Sequence, residues 1–366
     1  MQARIFGGKE LRKIDLSQTR QLFVWLVFLA LVPLKSFGHH GSNANPELYL
    51  AENLLELEGE ITEIFWRNPH PRLRMAVLGE RGEQTVWELE LPKSIIGLNG
   101  TWGITAESFH VGDSIRAAGV VSRRDSSSIG LLHLLLPNGQ EFVNGNRENR
   151  WSDQRVAELE FVPVDASADE RPAGIFRVWG SSVSQRSLIS RVIPVYEDLY
   201  TERGRELAAE YDRVTDDPEL NCEAGFPDAM LNPAPWEIID RGDRVLVRLQ
   251  YDLERVIYLD ANALANEPLA SPLGYSVGRW EADTLVVTTT HVDWPYINVG
   301  APQSGQATHV ERFTVSGGGR QLDYSLVTDD PILYTGSLEF RRTWAWEPGT
   351  EMTPYHCATE WEDAVE

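Results

Sequence analysis

The feature that most constrains this chain is a two-residue alternation of apolar and polar side chains, repeated in one run after another. In Arg244–Tyr251, Val245, Val247, Leu249 and Tyr251 fall on one side, with Arg244, Arg248 and Gln250 on the other. Period-two patterning places successive side chains on opposite faces of a strand. The pattern recurs over Glu254–Leu259, Tyr275–Trp280, Thr284–Thr290, His309–Val315, Leu322–Thr328 and Leu338–Trp346, with turns such as Glu281-Ala282-Asp283 and Gly317-Gly318-Gly319 between them. Roughly seven or eight antiparallel strands in succession predict a meander, either a barrel or a sandwich. Glu202–Asp212 predicts one short, mostly charged helix, which Asp216-Asp217-Pro218 ends.

The first half carries the same signal. Leu55, Leu57, Gly59 and Ile61 alternate with glutamates, and the slip to Ile64 and Trp66 predicts a bulge. Arg72–Leu78 and Val86–Leu91 read as a hairpin turning at Gly79-Glu80-Arg81-Gly82. Pro92–Leu98 reads as a short helical or irregular stretch, and Ser114–Val121 and Gly130–Leu136 as two further strands. Five strands with a helical insertion after the third predict an OB-like barrel. The expected fold is therefore mainly β. It comprises an OB-like five-stranded barrel over 39–144, an acidic linker over 145–172, and an antiparallel barrel or sandwich with one short helix over 173–366.

Leu22–Leu34 is apolar except for Pro33 and follows five basic residues, Arg4 to Arg20. It is shorter than the ~20 residues of a membrane span and suits the core of a signal peptide. Cleavage after Ser36-Phe37-Gly38 would remove residues 1–38 and place the protein in the periplasm or outside the cell. The net charge of −22 includes six basic and two acidic residues in that segment, so the mature chain would carry −26. Such a surface repels phosphate backbones, which argues against nucleic acid and favours cations or neutral ligands. The two cysteines, Cys222 and Cys357, are expected to pair in an oxidising compartment.

Several motifs carry a resemblance. HHGSNANPELYLAENLLELEGEITEIFWRNPH, then GEQTVWELE, VGDSIRAAG and LLLPNGQEF, occur in order. Over residues 39–143 the chain resembles an uncharacterised exported bacterial family catalogued as domain of unknown function 6152. That resemblance implies His-His after the signal peptide and a Gly-x-Val/Ile strand leading into Asn-Pro-His, here Gly59-Glu60-Ile61 and Asn68-Pro69-His70. Over residues 174–360 the chain resembles a second uncharacterised exported family, through Arg255-Val256-Ile257-Tyr258, Gly274–Glu281, Asp283–Val287, Val310-Glu311-Arg312-Phe313 and Tyr355-His356-Cys357. It departs from that pattern at Ala282, where glycine is expected at a hairpin tip. Neither resemblance implies an activity.

Two constellations are candidate sites. Cleavage after Gly38 would expose the α-amine and imidazole of His39, which with His40 and His70 would supply nitrogen donors for copper or zinc. The plainer reading makes His39 and His40 a frayed terminus and His70 a turn residue. In the second half, His309 and Glu311 share a strand face, with Arg312, Trp280, Glu281 and Asp283 nearby in sequence; in a pocket His309, Glu311 and Arg312 would form an acid/base site. The plainer reading there is a structural ion pair of Glu311 with Arg342 or Arg312. His110, His133 and His291 have no partners by spacing. A P-loop, Rossmann fingerprint, HExxH and CxxCH are all absent from the sequence.

The leading expectation is a periplasmic module that binds a transition metal through its N-terminal histidines. One alternative is an enzyme or carrier for a small apolar or carbohydrate ligand in the second domain. Another is an envelope scaffold that binds other proteins.

Overall fold

The computed structural model describes residues 47–159, 174–180, 190–192, 194–231, 235–260, 268–298, 300–359 and 361. Strands dominate. The first barrel consists of β1 (Tyr49–Phe65), β2 (Arg72–Leu78), β3 (Gln84–Glu90), β4 (Ser114–Ser122) and β5 (Ser128–Leu135), extended at one edge by β6 (Glu141–Val143). The long β1 gives one half to β2 and the other to β4, and its register slips between Ile61 and Glu63 at the expected bulge. A parallel pairing of β3 with β5, Leu89 opposite Ile129, closes the ring in the order β1-β2-β3-β5-β4. This is the OB arrangement. Helix α1 (Ile95–Trp102) bridges β3 and β4; Ser94 caps its start by accepting from the Gly97 amide, and Gly103 ends it at φ 65°.

Gly59 has a local reason to be glycine. A side chain there would place its Cβ 2.1 Å from the carbonyl oxygen of Ala76 on β2, so the strands could not approach as closely at this corner. Ile61, Leu73, Met75, Leu89, Leu98, Ile115, Ile129, Leu131 and Phe142 fill the interior. Val156 joins this core and Leu159 donates its amide to Thr101, so residues up to 159 pack on the first barrel. Residues 160–172 of the expected linker lie outside the described residues.

The second barrel takes nine strands: β7 (Val178–Gly180), β9 (Trp236–Asp240), β10 (Arg244–Arg248), β11 (Glu254–Tyr258), β12 (Tyr275–Glu281), β13 (Thr284–Thr290), β16 (Thr308–Ser316), β17 (Gln321–Asp329) and β18 (Leu338–Trp346). They pair in the order β7-β9-β10-β11-β12-β13-β16-β17-β18, and β18 returns to β7 to close the ring. The short β8 (Ser190–Val192) also pairs with β18, and β14 (Tyr296–Asn298) with β15 (Ala301–Pro302). The element is thus a barrel rather than a sandwich. The expectation of wholly antiparallel strands fails at one step: β11 and β12 run parallel, with Ile257 opposite Ser276. A long crossover from Leu259 to Gly274 separates them, and only such a connection permits parallel neighbours. Helix α2 (Glu202–Glu210) lies where one short helix was expected, and one further turn, α3 (Asp228–Leu231), sits nearby. Trp179, Trp236, Trp344, Phe313 and Tyr324 form the aromatic centre of this core.

Cys222 and Cys357 form the expected disulfide, across 135 residues of sequence. Cys357 also pairs through its backbone with Asn68 at the end of the first barrel. The covalent link therefore ties the C-terminal segment both to the second barrel and against the Asn-Pro-His turn. Among the described residues no helix is long and apolar enough to cross a membrane.

Candidate functional site

The Asn68-Pro69-His70 turn is held from several directions. Asn68 is 4% exposed; its amide donates to the His356 carbonyl (3.3 Å) and its own carbonyl accepts from the Ala358 amide (3.0 Å). Its side-chain oxygen accepts from the Ile95 amide at 2.9 Å, and its side-chain nitrogen donates to the Tyr355 carbonyl. Tyr355 is fixed in turn, because its amide donates to Asp252 (2.9 Å) and its ring lies 4.7 Å from that of Tyr251.

The turn delivers His70 to the end of β3. Its Nδ1 lies 2.7 Å from Glu90 Oε1, and the other Glu90 oxygen accepts from the Tyr49 hydroxyl at 2.9 Å. The His70 side chain retains 19% of its exposure and Glu90 25%. Burial pulls the His70 pKa down, but the hydrogen bond and charge of Glu90, with the charge of Glu219, outweigh it and leave the pKa raised. Burial pushes the Glu90 carboxyl up, yet the His70 and Tyr49 bonds hold it below its ordinary value. With Nδ1 committed to Glu90, Nε2 is the ring atom left for another partner.

Charged groups from the turn after β4 and from the segment after α2 lie near this pair. Arg124 donates to the carbonyls of Arg213 (2.9 Å) and Val214 (3.1 Å) and reaches Asp217 at 3.3 Å, while Arg213 meets Glu47 at 3.3 Å. Burial, followed by the charge of Asp217, raises the pKa of Glu219, against the opposing pull of His70. The candidate metal ligands His39 and His40 lie outside the described residues. Among the described residues no three His, Cys, Asp or Glu side chains gather as a metal site.

The second constellation divides. His309 and Glu311 do share the interior face of β16, both with no exposed surface. Arg312 lies on the outer face and pairs with Glu281 at 2.9 Å, so it joins neither of them. The partner of Glu311 is Arg255, not Arg342 or Arg312. Two guanidinium nitrogens of Arg255 meet both Glu311 oxygens, Tyr324 donates to the same carboxylate at 3.0 Å, and Ser276 and Thr289 satisfy the rest of Arg255. Phe226 lies 4.2 Å from the guanidinium carbon. Arg342 instead packs on Trp344 and donates to the Leu231 carbonyl at 2.7 Å.

His309 bonds through Nδ1 to Thr328 at 2.9 Å, and its ring stands edge-on to Phe226. Burial, followed by the charge of Arg255, pulls its pKa down to about 3. Such an imidazole stays neutral near pH 7 and is poorly matched to general acid/base work there. With both side chains enclosed, the arrangement is that of a buried structural pair beside a core histidine.

Two further features were not legible as sites. His133 pairs with the fully buried Glu141 at 2.8 Å, and that carboxylate also accepts the amides of Arg150, Trp151 and Ser152. It fastens the segment after β6 to the barrel. A half-open cleft of about 320 Å³ lies between Trp102, Ser108, His110, Asp113 and Asn138; its polar groups serve local turns, such as the Asp113 carboxylate accepting the His110 amide at 2.8 Å. Neither Glu90 nor Arg255 announced itself in the sequence, because a charged residue in an alternating strand ordinarily marks the solvent face.

Residues 28–132 match the model of a family of unknown function, DUF6152. The match agrees with the first resemblance and stops short of residues 174–360, so the second stands without confirmation. No curated protein and no solved structure is matched by the chain.

Proposed function

We propose, from the His70 end of the barrel that carries the family match, that the protein is an exported binding module for a transition-metal ion. His70 would be the ligand presented by the barrel, with His39 and His40 at the mature terminus completing the donor set; copper and zinc are the ions such nitrogen donors suit. One observation carries the reading: the ring of His70 is oriented by Glu90, itself held by Tyr49. A histidine ligand commonly donates its second ring nitrogen to a carboxylate, which fixes the tautomer and raises the basicity of the metal-binding nitrogen. The disulfide fits an oxidising compartment, and the charge of −22 favours a cation over nucleic acid. In the second barrel His309 and Glu311 are enclosed by their neighbours, which favours the metal reading over an acid/base site at those two residues.

The test is a titration of the metal-stripped protein, secreted with its own signal, with Cu(II) and with Zn(II), after mass spectrometry of its N-terminus. Saturable one-to-one binding is expected, lost in His70→Ala and in a form with one extra residue before His39. Glu90→Gln should weaken it by about 10- to 100-fold, the usual range for an orienting carboxylate. Equal affinity in wild type and His70→Ala would overturn the reading and favour the scaffold alternative.

A further inference from the structure

The segment after α2 brings a further carboxyl group close to the His70–Glu90 pair. Glu219 lies in a short helical turn, Pro218–Asn221, which Asp217 caps by accepting the Glu219 amide at 3.2 Å. The other Asp217 oxygen takes Arg124, from the turn after β4, at 3.3 Å, and the charge of Arg124 acts on both His70 and Glu90. At its far end the turn stops at Cys222. The disulfide carries it from there to Cys357, whose backbone pairs with Asn68 in the same Asn-Pro-His turn as His70. The Glu219 turn is therefore fastened to the first barrel at two points, each beside the His70–Glu90 pair. The charges of Glu219 and His70 act on one another, and the Tyr251 hydroxyl meets the Glu219 carboxyl. Glu219 is half-buried, as His70 is, so an ion from solvent has access to both.

The two glutamates stand differently towards His70. Glu90 gives one oxygen to Nδ1 and the other to Tyr49, so its part is to orient the ring. Glu219 reaches the same place from another stretch of chain. The N-terminal segment arrives there too, since Glu47 meets Arg213 at 3.3 Å and the charge of Arg213 acts on Glu219. The residues from His39 to Glu47 can span up to about 27 Å when extended, enough to bring the terminal donors to His70. We propose that Glu219 is the carboxylate ligand of the ion held by His70, and that its oxygen makes the site selective for Cu(II) or Zn(II) over Cu(I). The inference rests on the metal reading and names the ion class it takes. Imidazole with carboxylate is a donor set of divalent zinc and copper, whereas Cu(I) is selected by thiolate or thioether sulfur. Both cysteines of this chain are committed to the disulfide.

The experiment compares the secreted, metal-stripped wild type with Glu219→Gln. Each is titrated with Zn(II), with Cu(II), and anaerobically with Cu(I) kept reduced by ascorbate; electron paramagnetic resonance spectra are recorded of the Cu(II) forms. Glu219→Gln should weaken Zn(II) and Cu(II) by about 10-fold or more, at least the loss expected of an orienting residue, and leave Cu(I) little changed. The Cu(II) spectrum should shift, because an oxygen ligand has been exchanged or lost. A Glu219 that only supports the fold would weaken all three ions alike and leave the spectrum unaltered, and that result overturns the proposal. Wild-type binding that Glu219→Gln leaves unchanged overturns it while sparing the metal reading; a wild type that binds none of the ions removes both. Should Glu219→Gln fail to fold, Glu219→Asp, which withdraws the oxygens by one methylene, is tested for the same split. Failure of both variants to fold makes Glu219 a structural residue and overturns the proposal equally.

Discussion

His70 and His309 are both packed histidines at opposite electrostatic extremes. His70, at the rim of the first barrel, has a carboxylate on one ring nitrogen and a raised pKa. His309, inside the second barrel, has a threonine and the face of Phe226 for neighbours, lies near the Arg255 cation, and has its pKa pulled down to about 3. The difference is one of position relative to charge. The second barrel places its buried carboxylate, Glu311, against an arginine and leaves its histidine without an acidic partner; the first gives its rim histidine a carboxylate and partial access to solvent. Here the histidine two residues from a glutamate is a core residue, and the one twenty residues from its glutamate is the candidate for chemistry.

The largest test of that contrast is the disulfide. Replacing both cysteines with serine should cost about 4–5 kcal/mol by loop-closure entropy for so long a loop, read as a drop in denaturant midpoint. The same change should disturb the environment of His70, whose turn the Cys357 segment holds, and leave His309 unmoved.

Next, Glu311→Gln should destabilise by about 3–5 kcal/mol because it strands a buried arginine, and Arg255→Met with Glu311→Leu should recover much of that loss. Glu90→Gln, at a partly exposed pair, should cost about 1 kcal/mol or less by the same measurement.

The pH dependence of the two histidines has opposite sign. His309 stays neutral in the folded state while the unfolded chain takes up a proton below about 6.5, so its contribution is present above that pH and falls as pH drops towards 3. By pH 5 the loss should approach about 2 kcal/mol, and His309→Gln should remove it. The raised pKa of His70 gives stability that is fully present below about 6.5 and lost as pH rises through the folded value. Glu90, held low, contributes above its unfolded pKa and loses that contribution as pH falls through its folded value. The smallest effect belongs to Ala282, which adopts φ 53° at the β12–β13 tip; Ala282→Gly should stabilise by about 1 kcal/mol without touching either histidine.

Both barrels were legible in the alternation of their strands, and the helical insertion after the third strand carried the OB order of the first. The parallel step from β11 to β12 was hidden, because period two is the same for parallel and antiparallel neighbours. Arg255 was hidden for a related reason. It runs in phase with Ile257, so it points inward, but a charged residue in such a pattern reads as solvent-facing. The disulfide was legible because the chain has two cysteines and no alternative pairing. His70 was legible as a turn histidine, whereas Glu90 and Tyr49 reach it only through strand pairings that no local motif records. The packing of Trp361 on Phe65 was hidden, since an aromatic near a terminus carries no signal of where it packs.

The most direct measurement is an NMR titration of the histidine ring signals in metal-free protein, with His70 and His309 assigned by their glutamine variants. The account predicts that His70 titrates above the ordinary value of about 6.5 and that His309 shows no titration down to about pH 4. A His309 that titrates near neutrality, with His70 shifted below it, would contradict the account and return the acid/base chemistry to the second barrel.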